Sequence, residues 1–256
     1  MCSKKKKHSE FSLQDSSPIT KQVLDTIQQN SVKDPVAAQY LKSEQENIIS
    51  LQEKTDPIGD DIHSPVKGLV HRYPDRVLLK ITDVCSVYCR FCFRKEMIAK
   101  GQGILKTQEL EKALSYIKEN RQIHEVILSG GDPLTLSNRR FAELLKKLEE
   151  IDHLDVIRIH TRQVMVKPDR IDQDFIQILR QSSKAVYIVI HVNHAQEINE
   201  NVLRAFSTLS NSGAVLLSQT VLLKNINNSA KTLAALFKKL IKHSIKPYYL
   251  HHLDLA

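Results

Sequence analysis

The spacing of apolar and polar residues changes character near residue 76. Downstream, short runs rich in β-branched and aromatic residues alternate with longer stretches whose apolar residues recur every three or four positions. The short runs are VLLKITD (77–83), EVILSGG (125–131), VIRIHT (156–161), AVYIVIHVN (185–193), AVLLSQT (214–220) and KPYYLHHL (246–253). Between them lie TQELEKALSYIKEN, NRRFAELLKKLEEI, DQDFIQILRQSS, NENVLRAFSTLSNS and SAKTLAALFKKLIKH. Period two or continuous apolarity over so few residues predicts strands, and the period of three to four predicts amphipathic helices. A strand followed by a helix five times, then a sixth strand, is an α/β pattern. Strands this apolar are buried on both faces, so the sheet is parallel with helices outside. Either a partial barrel or an open doubly wound sheet fits, and in both the ligands bind at the carboxyl ends of the strands.

Upstream the pattern is weaker. ITKQVLDTIQQN places Val23, Leu24 and Ile27 on one side of a helix. DPVAAQYLKSEQENIISLQEK predicts a second helix that starts with Asp34 as N-cap and Pro35 at its first position. TDPIGDDIHSPVKG, rich in Pro, Gly and Asp, reads as a loop. Three segments are expected: a disordered basic tail (1–18), a helical extension and loop (19–75) that looks like an accessory layer without chemistry of its own, and the α/β core (76–256).

Composition narrows the class. Of 256 residues, 41% are hydrophobic and 26% charged, enough to bury a core. No apolar run approaches the roughly 20 residues that cross a bilayer, so no membrane association is expected. The basic start MCSKKKKHSE leads into FSLQDSSP and not into an apolar stretch, so it is no secretory signal, and a cytoplasmic protein is expected. The formal net charge is +8, and Lys4 to Lys7 supply half of it. Aromatics, at 5%, do not alternate with the basic residues as a base-stacking platform requires, so nucleic acid is not the expected partner.

Three of the four cysteines fall in DVCSVYCRFCFRK (83–95): Cys85, Cys89 and Cys92. They follow the first strand of the core, so they sit at the functional end of the sheet. The second strand ends there too, in Ser129, Gly130, Gly131 and Asp132. A glycine pair after a strand is often only a turn, but beside the cysteines it also lets a ligand approach the backbone. A structural zinc site wants four donors, and His160 or another strand-end residue would have to complete the set. A cubane iron–sulfur cluster held by three thiolates keeps one iron open, which suits the x3–x2 spacing better. Tyr88, Phe91 and Phe93 would shield such a cluster from water. Zinc and a redox pair remain alternatives on spacing alone.

CxxxCxxC after the first strand of a six-stranded α/β array, with GGD after the second, resembles the radical S-adenosylmethionine superfamily. HSPVKGLVHRYPDRVLLKITDVCSVYCRFCFRK, EVILSGGDPL, RIHTR, NHAQEI, LLSQTVLLKNINN and PYYLHHLDL together resemble the lysine 2,3-aminomutase family over roughly residues 56 to 256. The resemblance implies a partial (βα)6 barrel with an N-terminal helical extension. It implies a 4Fe-4S cluster on Cys85, Cys89 and Cys92, and S-adenosylmethionine on the open iron, with Gly130 to Asp132 near its amino group. The family moves the amino group of L-lysine from carbon 2 to carbon 3, carrying it on pyridoxal phosphate. The lysine is free in one branch and destined for elongation factor P in another. FCFRK, RIHTR and YYLHHLD lean toward the elongation factor P branch, whereas HRYPDRV and DPIGDDIHSP lean toward free lysine.

Residue by residue, the resemblance assigns Arg94 to the substrate carboxylate, Asp254 to the distal ammonium of lysine and Arg76 to the neighbourhood of pyridoxal phosphate. By position, Ser129 and His160 line the cofactor cavity. Read without the resemblance, Arg94 and Arg76 are surface charges. The implied electron donor is a flavodoxin or ferredoxin. The family's imine-forming lysine lies beyond the segment matched here, and no lysine follows Asp254 in this sequence. The expectation is therefore a fragment, a chain completed by a C-terminal partner, or a homo-oligomer. The alternative to an active isomerase is a remnant that keeps the cluster and S-adenosylmethionine but lacks pyridoxal chemistry.

Overall fold

The computed structural model describes residues 18–29, 31, 33–42 and 50–256. The expected basic tail, apart from Pro18, and residues 43–49 of the expected second helix lie outside that set.

Seven strands form one sheet in chain order: β1 (Leu69–Tyr73), β2 (Arg76–Thr82), β3 (Glu125–Gly130), β4 (Val156–Thr161), β5 (Ala185–His191), β6 (Val215–Val221) and β7 (Lys246–His251). From β2 to β7 every neighbouring pair is parallel. β1 pairs antiparallel with β2 through a tight turn that sets Tyr73 opposite Arg76. The strand order never reverses, so the sheet has no switch point of the doubly wound kind. Right-handed crossovers in one direction put all the helices on one face, and the sheet curls around the other. β1 and β7 stay unpaired with each other. This is a partial barrel, and it decides between the two architectures the pattern allowed.

The crossover helices are α3 (Thr107–Glu119), α4 (Asn138–Glu149), α6 (Gln173–Arg180), α7 (Glu200–Ser210) and α8 (Ala230–Lys242), each inside a predicted stretch. Four start on a side chain that accepts a first-turn N–H: Ser137 for α4, Asp172 for α6, Asn199 for α7 and Ser229 for α8. Their apolar faces, including Ile117, Phe141, Phe175, Phe206 and Leu240, pack against Leu79, Leu128, Ile159 and Ile188 of the strands, all essentially buried. Full burial of each such side chain is worth about 1.5–3 kcal/mol. The alternate strand positions face inward and mix polar residues, among them Lys80, Ser129, Arg158, His160, His191 and Gln219, with apolar ones such as Leu78, Ile127, Val189 and Leu217. The sequence pattern therefore encodes an apolar outer face and a mixed inner one, and the inner one ends at the rim that carries the cysteines.

Two shorter helices leave the rim: α2 (Lys95–Lys100), after the cysteine loop, and α5 (Gln163–Val166), after β4. Upstream, α1 (Lys21–Thr26) is shorter than expected, ending where Ile27 turns extended. The expected second helix is, among the described residues, only the 3-10 turn Ala37–Gln39. The turn's N-cap position is Val36 and not the expected Asp34, although Asp34 Oδ1 does accept the N–H groups of Val36 and Ala37 at 2.8 and 2.9 Å. Its Oδ2 accepts from the Gln28 and Gln29 backbone and from the Gln196 amide, which anchors the turn to the core. Tyr40 and Leu41 are buried directly after it. Docking of these side chains outweighs helical continuation.

Candidate active site

The cysteine loop starts where β2 ends, and the end of β3 holds its root. The Gly131 N–H donates to the Thr82 carbonyl (2.6 Å) and the Asp132 N–H to the Val84 carbonyl (2.9 Å). A Cβ added to Gly130 would overlap the Thr82 oxygen, and one added to Gly131 the Val84 oxygen. Gly130 also has φ +114°. The glycine pair is thus explained by close approach of β3 to the cysteine loop, a packing role that the turn and ligand readings both missed.

Asp132 is buried and its carboxylate is fully occupied. Oδ1 accepts from the Leu134 N–H and the Thr161 hydroxyl; Oδ2 accepts from the Arg162 and Gln163 N–H groups, at 2.6 and 3.1 Å. Asp132 therefore fastens the rim of β3 to that of β4. Gln163 then reaches Ser86 in the cysteine loop, Nε2 to Oγ 2.8 Å.

Within the loop, a turn from Cys92 N–H to the Cys89 carbonyl (3.0 Å) folds the chain back, and Lys95 N–H closes onto the Cys92 carbonyl. Cys85, Cys89 and Cys92 are free thiols and partly buried. Burial pushes all three thiols up in pKa. Cys89 reaches about 11, although the Arg162 cation pulls it back. Cys85 is raised further by the Asp132 carboxylate and the other two cysteines, so the three sulfurs feel each other's charge. Among the described residues no three His, Cys, Asp or Glu side chains converge on one point able to hold a single metal ion. Three free, partly covered thiols on one short loop are a soft donor set that fits a cubane, which takes one thiolate at each of three corners. Iron would also compensate the charge that burial opposes.

Behind Cys89 lies a buried polar cage. Arg162 donates through Nε to the Tyr40 hydroxyl (2.9 Å) and through one terminal nitrogen to Gln39 Oε1 (2.6 Å) and Glu197 Oε2 (2.9 Å). Gln39 and Tyr40 come from the N-terminal extension, whose backbone also receives Arg90 of the cysteine loop. The extension thus forms a wall of the site, contrary to the accessory layer the sequence suggested.

The remaining candidates scatter. Arg94 lies at the head of α2, its Nε on Asp60 (3.1 Å) and its guanidinium 4.4 Å above the Phe93 ring. Lys80 approaches the same Asp60 carboxylate at 3.6 Å. Arg94 is therefore paired and mostly covered, which removes the solvated reading. Ser129 is buried on β3, opposite Lys80. His160, on the inner face of β4, is pushed down to about 3 by burial and by the Arg158 cation, and its Nε2 has no partner. Asp254 is exposed just past β7, at the same end of the sheet, where it acts on the charge of His251. Arg76 does not join them. It opens β2 at the opposite end, held by both oxygens of Asp75 at 3.0 and 2.9 Å and facing Glu125 at 3.6 Å.

Arg162 is one of the strand-end polar residues that by position could line the cavity, of which sequence reasoning keeps only Ser129 and His160; Glu197 and Asp60 are not singled out. Arg162 and Glu197 do stand at strand-end motifs, and a charged residue there is the available signal; Gln39, Tyr40 and Asp60 give none.

A one-directional parallel half-barrel with three thiols on its first parallel loop defines a class of protein. Residues 79–237 match the Radical SAM superfamily, to which the chain belongs. Solved structures agree on the fold: native anSMEcpe with bound AdoMet superposes with a TM-score of 0.53 at 14% identity, over 70% of this chain and 50% of that one. More narrowly, the chain belongs to the lysine 2,3-aminomutase family. It is 37% identical to the L-lysine 2,3-aminomutase of Escherichia coli over 237 residues, 92% of this chain and 68% of the relative. The enzyme of Clostridium subterminale is 37% identical over 93% of this chain, and that of Methanococcus maripaludis 39% identical over 89%. The chain spans 57% and 52% of the length of these two. No helix among the described residues is long and apolar enough to cross a membrane.

Proposed function

We propose that this chain is the catalytic core of a radical aminomutase acting on L-lysine, with Cys85, Cys89 and Cys92 holding a 4Fe-4S cluster. The observation that carries this reading is the three-thiol loop, clamped to the GGD segment at the carboxyl rim of a partial barrel. When bound, a cluster with one open iron supplies a coordination site for S-adenosylmethionine and the single electron that cleaves it.

The protein's own groups have separable tasks. The three cysteines hold iron in a pocket that burial keeps short of water. Gly130 and Gly131 keep β3 against the loop, so their backbone lies beside the cysteines without side chains in between. Phe91 packs edge-on to His191, ring centres 5.5 Å apart, and walls the cavity. Asp60 orients Arg94, whose planar fork matches a substrate carboxylate. Asp254, at the same rim, offers a negative charge to the distal ammonium of lysine. His160 stays uncharged, suiting a cavity that admits a cationic cofactor.

Arg76, paired with Asp75 and Glu125 at the amino end of β2, remains the cation proposed to lie near pyridoxal phosphate. The proposal for this chain rests first on its cluster and S-adenosylmethionine half. Lysine destined for elongation factor P is the second form of substrate, favoured by FCFRK, RIHTR and YYLHHLD.

Anaerobic reconstitution with iron and sulfide tests the reading. About four iron and four sulfide per chain are expected, with 5′-deoxyadenosine formed on adding S-adenosylmethionine and a low-potential reductant. Cys89→Ala is expected to abolish both; cleavage that survives in that variant refutes the assignment. Product from free lysine, compared with lysine supplied with elongation factor P, separates the two substrates.

A further inference from the structure

The cation behind the cysteine loop has no task in the proposal above. Arg162 is 6% exposed. Its guanidinium carbon lies 5.2 Å from the Tyr40 ring and 5.2 Å from the ring of Phe91, which stands between Cys89 and Cys92 in the chain. The cage fills Nε and Nη2, but buried Nη1 has no acceptor. A buried donor left unpaired is costly, so a core ion pair that served packing alone would not retain one. Its counter-ion is heavily shared. Glu197 accepts from Arg162, from the Gln39 amide at 3.3 Å, and from the N–H groups of Asn193 and His194 at 2.8 Å each. Much of the carboxylate is thus occupied by neutral donors, and the guanidinium is only partly balanced.

We infer that Arg162 is a positioning residue for the iron–sulfur centre, its fixed positive charge against the Cys89–Cys92 loop favouring the reduced cluster. The inference rests on the reading that the three cysteines hold a 4Fe-4S cluster. One electron from an external low-potential donor takes the cluster from its 2+ to its 1+ state; no bond forms or breaks and no proton moves. The added negative charge is stabilised by a cation in a medium of low dielectric, where screening is weak. The N-terminal extension contributes through Gln39 and Tyr40, which fix the guanidinium in place.

The test is an electron-paramagnetic-resonance redox titration of the reconstituted full chain, alongside iron and sulfide content, for the wild type, Arg162→Lys and Arg162→Gln. Arg162→Lys keeps the charge and is expected to stay near the wild-type midpoint. Arg162→Gln is expected to lower the ratio of reduced to oxidised cluster at a fixed potential about tenfold, a midpoint shift of about 59 mV for one electron. A Gln variant that cannot retain its cluster, while the Lys variant does, supports the inference equally. Any result in which Arg162→Lys is no closer to the wild type than Arg162→Gln overturns it. A wild-type chain without a four-iron cluster removes the earlier reading instead.

Discussion

Asp132 carries a carboxylate that solvent does not reach and that four protein donors share. Its buried partners cannot all turn to water when it is removed, and each unmet donor costs about 1–3 kcal/mol. Asp132→Ala is therefore expected to lower unfolding stability by about 3 kcal/mol or more, besides loosening the loop. Chemical denaturation measures this, and a loss below about 1 kcal/mol would contradict the four-donor arrangement. His160 sets a pH dependence. It is neutral in the fold, with its pKa depressed to about 3, but titrates near 6.5 once unfolded. The unfolded chain thus binds more protons as pH falls through 6.5. Stability from this group is fully present above that value and is lost toward pH 3, at up to about 1.4 kcal/mol per pH unit. Buried His191 shifts in the same direction. Urea melts of His160→Gln and wild type between pH 7 and 4 are expected to diverge, the wild type losing more.

At the scale of elements, the glycine pair makes a sharp prediction. Gly131→Ala pushes a methyl into the Val84 carbonyl and is expected to yield protein with less iron after reconstitution. Gly213→Ala is the control: its φ is +83° but nothing lies within 4 Å of the added carbon. Equal iron content in the two would detach the glycine pair from the cysteine loop. The five helices and β2 to β6 were legible because each buries a face, and burial imposes a period on the sequence; β7 buries none of its six residues and was legible by its apolar, aromatic composition alone. β1 was not, since only Leu69 and Val70 of its five residues are buried. α2 and α5, of six and four residues, are too short to show a period. The cysteines were legible through spacing and through their place after a strand. The cage was not, because Gln39, Tyr40, Arg162 and Glu197 meet across more than 120 residues of chain. The pairing of Arg76 with Asp75 and Glu125 was hidden for a related reason: a motif reports that a residue is present, whereas its partners appear only in three dimensions.

Across the whole molecule the sheet is asymmetric. One border is the β1 hairpin; the other is β7, where Tyr248 and Leu250 are 51% and 52% exposed and Leu253 and Leu255 follow, also exposed. An unpaired strand edge with apolar side chains invites pairing with another chain. Sedimentation at tens of micromolar is expected to show species heavier than the 29.3 kDa monomer, and Leu250→Lys to reduce them. Unchanged sedimentation in that variant would place any association elsewhere. The one-directional strand order has a consequence for biosynthesis. Gln39 and Tyr40 are made before the cysteines, but the other enclosing groups come well after: Asp132 follows Cys92 by 40 residues and Glu197 by 105. At about 5–20 residues per second, the last wall arrives roughly 5–20 s after the last thiol. During that interval on the ribosome the three sulfurs stand open to iron carriers and oxidants alike, and the finished cage then governs how readily either can reach them.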